Sequence, residues 1–236
     1  MVNLNEFYNK RVNSLNKNDL LKQVGHSVNG IAISQVEFNI LINGINDVLN
    51  LNNQDNLLDL CCGNGVITRE FIQSCDSICG IDFSKELISI AKNINTSNKI
   101  KFYNTDVFNV AKYYQKDRLF SKILMFGSLQ HFSISEFPKV LNLIQTQSTN
   151  DFIALFGFVP DKQYKWKFYN TLKKKALYVS RRLMKTDVMG TWWIKSDIID
   201  ICDSMNLSCN FIDIKTGNYG YPYRFHFSVK SIEEKL

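Results

Sequence analysis

The stretch Leu57-Leu58-Asp59-Leu60-Cys61-Cys62-Gly63-Asn64-Gly65 constrains this chain more than any other. Its apolar run with a single acid reads as a buried strand, and the glycines after it read as a tight turn into a helix from Val66 to about Ser74. Residues without a β-carbon let the backbone come close to a ligand, and Asp59 sets a carboxylate at the edge of that turn. A second acid closes the next strand, in Gly80-Ile81-Asp82-Phe83-Ser84, and a third follows the strand after, in Asn104-Thr105-Asp106-Val107.

The same alternation continues along the chain. Strands are expected near Asn56–Leu60, Ser77–Asp82, Ile100–Tyr103, Lys122–Phe126 and Phe152–Val159. Ser84 caps a helix to about Lys92, and Ser133 with Glu136 has the spacing of a capping box for a helix through Leu143. Ser196 caps a helix over Asp197–Met205, and the strands Ser208–Ile214 and Arg224–Lys230 end the pattern. Repeated strand-helix-strand units imply a parallel sheet with helices on both faces. Residues 1–50 read as a helical cover: a loop over Gly25–Gly30, then a helix within Ile31–Leu49 whose periodic apolar residues include Ile33, Val36, Ile40, Leu41, Ile45 and Val48.

Size and composition narrow the function. A chain of 236 residues suits a single domain with a substantial core. Lys and Arg total 28 against 22 Asp and Glu, an excess that permits an anionic substrate but is small for a nucleic-acid binder. The 6 cysteines include no CxxC pair, so neither zinc nor any other metal is expected, and they read as reduced thiols. No apolar run has the length of a membrane span, and Met1–Glu6 lacks the regions of a secretory signal, so the expected location is the cytoplasm.

The glycine turn lacks the GxGxxG spacing of a dinucleotide site. It instead resembles the first motif of class I S-adenosylmethionine-dependent methyltransferases, acid-x-Gly-x-Gly-x-Gly, with Cys61 where that motif has its first glycine. The stretch Gly80–Ile88 resembles the second motif of that family and Asn104–Val107 the third. The resemblance covers roughly residues 54–160 and, more loosely, the C-terminal helix and strands. It implies a Rossmann-like α/β fold: a mostly parallel seven-stranded sheet whose last strand is antiparallel, with helices on both faces. It also implies that S-adenosylmethionine is the cofactor and S-adenosylhomocysteine the product. In that reading Asp59, Cys61, Gly63, Asn64 and Gly65 shape the cofactor turn. Asp82 accepts from the ribose hydroxyls, Phe83 packs on the adenine, Asp106 and Val107 serve the adenine edge, and Phe126 and Gly127 lie at the end of the fourth strand.

The segment Met125-Phe126-Gly127-Ser128-Leu129-Gln130-His131-Phe132 is the expected reaction centre. The chain has no Pro-Pro dipeptide, which argues against enzymes that methylate base amino groups in DNA. Ser-Leu-Gln-His-Phe is similar to small-molecule methyltransferases. In the phosphoethanolamine methyltransferases a histidine here works with an N-terminal tyrosine. His131 and Tyr8 are the matching candidates. His26, in the Gly25–Gly30 loop, is a weaker candidate for a place near cofactor or substrate.

Asp161–Met189 is dense in lysine, arginine and aromatics, including Lys173-Lys174-Lys175 and Arg181-Arg182, and residues 161–195 read as an inserted, lid-like segment. Its cations could hold a phosphate or carboxylate, or could simply be solvated beside buried Tyr, Phe and Leu; Arg224 could also point toward the site. The expected reaction is O-methylation of a small polar or phosphorylated metabolite, such as a sugar, a phosphoramidate or another intermediate of a bacterial surface polysaccharide. RNA or protein methylation and a non-catalytic cofactor-binding subunit remain alternatives, with RNA the less expected partner and DNA not expected.

Overall fold

A computed structural model describes residues 3–113, 119–184 and 186–232; Lys185, within the expected insertion, and Met1 and Val2 lie outside the described residues. The main sheet has seven strands: β3 (Asn56–Leu60), β4 (Ser77–Asp82), β5 (Ile100–Asn104), β6 (Phe120–Phe126), β7 (Ser148–Pro160), β8 (Leu207–Asp213) and β9 (Arg224–Ser231). They lie in the order β5-β4-β3-β6-β7-β9-β8. The strands from β3 to β7 pair in parallel, and β9 runs antiparallel to both its neighbours. The fold expected from the motifs is therefore the one observed.

Period-two alternation sorts the strand residues between two cores. Leu58, Leu60, Ile123, Met125 and Phe156 pack with helices α5 (Phe137–Gln147) and α8 (Lys195–Ser204) on one face. Leu57, Leu124 and Leu155 pack with α3 (Gln35–Leu49) and α4 (Lys85–Ile94) on the other. Burying such a side chain contributes roughly 1.5–3 kcal/mol, so the two faces together fix which way every strand end points. The strand order reverses between β3 and β6, and at such a point the loops leaving two neighbouring strands diverge and open a crevice at their carboxyl ends.

Several local expectations need correction. The helix from Val66 to Ser74 is only a 3-10 turn, Thr68–Phe71. Val66, Ile67 and Thr68 are all buried, and Thr68 commits its hydroxyl to Asp59, so the stretch is drawn inward instead of presenting one face. Ser196 sits inside α8, whose cap is Ile194: Trp193 is pinned through its backbone to Pro160 and Lys162, and the helix starts directly after it. Glu136 accepts from the Ser133 backbone and hydroxyl at 2.8 and 2.7 Å, yet α5 begins only at Phe137 and its cap makes no side-chain bond, so half of the box forms. The Gly25–Gly30 loop holds a small hairpin, β1 (Ser27–Val28) with β2 (Ile31–Ala32). Asn29 and Gly30 turn it with φ of 50° and 81°, the backbone that an Asn-Gly pair favours. In α3 the buried residues are Phe38, Ile45 and Leu49, with Leu41 and Val48 partly buried against the same core, whereas Val36 and Ile40 lie on the exposed side of the helix. Helices α1 (Leu4–Ser14) and α2 (Leu20–Gln23) precede that hairpin.

Candidate functional site

A cavity of about 210 Å³ opens at the carboxyl ends of β3, β4 and β6. Its floor is the turn after β3. Cys61 has φ of 60° and Gly63 of 58°, a left-handed backbone that suits glycine and strains a cysteine. A β-carbon on Gly63 would lie 2.7 Å from Val24 Cγ1, and one on Gly65 would lie 2.8 Å from Phe102 Cζ, so neither tolerates a side chain without displacement. Gly63 N–H donates to Asp82 Oδ2 at 3.0 Å, and Ser84 N–H to Asp82 Oδ1 at 2.8 Å. Two ionised oxygens offer about four acceptor positions, so the pair leaves Asp82 with capacity toward the cavity it lines.

Burial pushes the Asp82 carboxyl up to about 6 against the opposing hydrogen bonds from Ser84 and Gly63. Asp59 is pushed up to about 7, chiefly by burial; the Thr68 hydroxyl, donating at 2.6 Å, opposes that rise and the Asp82 charge adds to it. Burial likewise holds the Cys61 thiol well above its ordinary range. Phe83, Asp106 and Val107 complete this wall, with Asp106 Oδ1 accepting from Phe108 N–H at 2.9 Å.

The opposite wall is assembled from distant segments. Ser84 Oγ donates to Asn9 Oδ1 at 2.9 Å and Arg11 Nε to Lys22 O at 2.8 Å, fixing α1 over α4 and α2. That places the Tyr8 hydroxyl 3.0 Å from His131 Nε2, with the two rings at 89°. His131 ends the 3-10 turn Leu129–His131 after β6. The turn is held by Gln130 Nε2 donating to Gly127 O at 2.6 Å, and by Thr191 N–H and hydroxyl donating to Gln130 O and Phe132 O at 2.8 Å each. Burial lowers His131 to about 4, aided by the Arg224 charge, and raises Tyr8 to about 12, aided by Asp82. The pair is thus a neutral imidazole and a neutral phenol at physiological pH.

Arg224 sits behind them. Its guanidinium lies 4.4 Å from the Phe158 ring centre and donates to Phe158 O at 2.6 Å. Burial lowers it to about 10, and the groups that oppose this are the hydroxyls of Tyr219, Tyr8 and Tyr169. No carboxylate pairs with it among the described residues. His26 is buried in the same region, against Phe126, Phe158 and Tyr219, and its Nδ1 has no partner among the described residues. Burial, with the Arg224 and Arg11 charges, lowers it to about 4.

Residues 57–147 match the family described as "Methyltransferase domain". That segment carries a methyltransferase domain. A stretch of 46 residues is 44% identical to an uncharacterized methyltransferase of Schizosaccharomyces pombe, and it covers 20% of this chain and 18% of that protein. Among solved structures, magnesium protoporphyrin IX methyltransferase of Synechocystis with bound S-adenosylhomocysteine is 16% identical, with a TM-score of 0.59 over 96% of this chain and 99% of that one. An S-adenosylmethionine-dependent methyltransferase of Clostridium acetobutylicum is 13% identical, with a TM-score of 0.60 over 84% of this chain and 92% of that one. The shared feature is the class I methyltransferase fold.

Within this methyltransferase fold, Asp59, Cys61, Gly63, Asp82, Phe83, Asp106, Val107, Phe126 and Gly127 line one cavity together with Tyr8 and His131. Asn64 and Gly65 do not line it. The Asn64 amide turns away to donate to Leu20 O and Gln23 Oε1, both at 2.9 Å, which ties α2 to the turn. Lys173, Lys174, Lys175, Arg181 and Arg182 of the insertion are exposed, and Arg224, half-buried behind Tyr8 and His131, is the cation beside that wall although it does not itself line the cavity. Tyr219 and Phe158 carried no motif; only their aromatic character in a strand end and a loop could have singled them out.

Proposed function

We propose that this methyltransferase takes its methyl group from S-adenosylmethionine and delivers it to an oxygen of a small, polar, negatively charged metabolite. The observation that carries this reading is the Tyr8–His131 hydrogen bond at 3.0 Å, made across the cavity that Asp82 and Gly63 floor. The turn fits the cofactor: Gly63 brings bare backbone to the cavity, and Asp82 has acceptor capacity left for paired ribose hydroxyls. Asp106 and Val107 would meet the adenine edge, and Phe83 its face. When bound, S-adenosylmethionine supplies a methyl carbon already activated by its sulfonium.

The chain's own work is then orientation, exclusion of water and proton transfer. A neutral His131 takes the proton of the acceptor hydroxyl through the Tyr8 phenol, which passes its own proton to His131 Nε2 as it receives the acceptor's. Arg224, half-buried behind Tyr8 and His131 and without a carboxylate partner among the described residues, supplies the positive charge that favours an anionic acceptor on that side of the cavity. The acceptor class is thus a phosphorylated or carboxylated small molecule, such as a sugar phosphate, a phosphoramidate or a surface-polysaccharide intermediate. Residues 1–50 act as a cover and residues 161–195 as a lid, which Thr191 couples to the His131 turn. A reducing, cytoplasmic compartment accords with six free cysteines.

The test is formation of S-adenosylhomocysteine against a panel of hexose phosphates and sugar acids, run beside calorimetry of S-adenosylmethionine. Turnover with an anionic acceptor and not with its uncharged analogue is expected. Arg224→Gln is expected to raise KM for that acceptor about tenfold or more with cofactor affinity unchanged. Preference for the uncharged analogue would contradict the assignment.

A further inference from the structure

Helix α7, Leu172–Leu183, contains three lysines and two arginines and no acid. Its apolar residues do not face the protein. Leu172 is 85% exposed, Val179 49% and Leu183 79%, while Tyr178 is the buried residue that attaches the helix, packing 4.6 Å from Tyr169 between ring centres. At 100° per residue, Leu172, Ala176, Val179 and Leu183 form one outward stripe. Lys175 and Arg182 flank it on one side and Lys173 on the other. Trp166 lies beside the helix at 52% exposure, with Lys175 5.9 Å from its ring centre, and Met184 at the helix end is 62% exposed.

A helix docked on its own domain turns its apolar stripe inward; here the stripe points to solvent with cations along both edges. An outward apolar row bordered only by positive charge suits a surface that is apolar below and negative at its face. We propose that α7 is a membrane-surface helix that lies flat on anionic lipid, with Leu172, Val179 and Leu183 below the headgroups and its lysines and arginines among them. Beyond α7, Thr191 is hydrogen-bonded to the backbone of Gln130 and Phe132 on either side of His131, so the membrane-bound face and the acceptor side of the cavity are joined by one short segment. This inference stands apart from the choice of acceptor.

The test uses the full chain with vesicles of phosphatidylcholine alone or containing phosphatidylglycerol, read by cosedimentation and by tryptophan fluorescence. Trp192 and Trp193 are buried, so Trp166 reports on the helix. Binding to the phosphatidylglycerol vesicles with a blue shift is expected, weakened by salt. Leu172→Ser with Leu183→Ser is expected to weaken it at least about tenfold, and Lys173→Gln with Lys174→Gln and Lys175→Gln about a hundredfold. Each variant should keep the wild-type melting temperature, since all these side chains are exposed. Three results would overturn the proposal: equal binding to phosphatidylcholine alone, variants that bind like the wild type, or no vesicle binding by a chain that instead binds single-stranded RNA or self-associates through Leu172 and Leu183.

Discussion

Asp59, Gly63, Asp82 and Asp106 leave the ends of three successive parallel strands, whereas Tyr8, His26, His131, Phe158 and Arg224 come from five separate places along the chain. The first group is held by backbone: Asp82 receives the Gly63 and Ser84 amides, and the left-handed turn between β3 and the Thr68–Phe71 segment is closed by glycine. The second is held by side chains meeting across the fold, such as Tyr8 on His131 and Arg224 on Phe158. A site built from consecutive strand ends keeps its spacing in the sequence. One built from long-range packing leaves only scattered residues.

The division predicts a separate role for each wall. Variants on the strand-end wall should alter cofactor affinity, and variants on the packed wall should alter turnover. The largest effect is expected for His131→Ala, which removes the imidazole that Tyr8 meets. Turnover should fall by about 100-fold to 10,000-fold while cofactor affinity stays within a few-fold. Equal losses in both, measured by steady-state kinetics and calorimetry, would merge the two walls into one.

Next in size is a pH effect confined to the strand-end wall. With its carboxyl near 6, Asp82 takes up a proton as pH falls through that value and gives up acceptor capacity. Cofactor affinity should therefore fall below about pH 6, by up to roughly tenfold per pH unit, and Asp82→Asn should remove that limb, leaving only what the Asp59 carboxyl, near 7, contributes. His131, near 4, stays neutral through the same range and should add no such limb to the affinity profile.

The smallest effect concerns Cys61, at φ 60°. Glycine takes this conformation without strain, so Cys61→Gly should relieve roughly 1–2 kcal/mol of backbone strain, reduced by the entropy that glycine adds to the unfolded chain. Thermal unfolding should show a small net gain or no change. A clear loss would mean that the half-buried Cys61 thiol makes packing contacts worth more than the strain it causes.

The parallel strands, the Asp82 and Asp106 positions and the Ser84 cap were legible because alternation, capping and turn chemistry are local. The Val66–Ser74 helix was not, because the bond from Thr68 to Asp59 and the burial of the whole segment outweigh local propensity. The Tyr8–His131 pairing could be anticipated only through family resemblance, since 123 positions separate the two. The place of Arg224 beside Tyr8 and His131 was obscured by denser positive charge in the insertion, and charge density in a sequence does not reveal which cation packs near the site.

The account rests most heavily on Asp82 as the cofactor's acceptor. Calorimetric titration of S-adenosylmethionine into the wild type, Asp82→Ala and Asp82→Asn tests it directly, with thermal unfolding as the check on folding. The account predicts binding by the wild type and at least about 100-fold weaker binding by the alanine variant, from the loss of charge-assisted bonds. Undiminished affinity in a folded Asp82→Ala protein would contradict it.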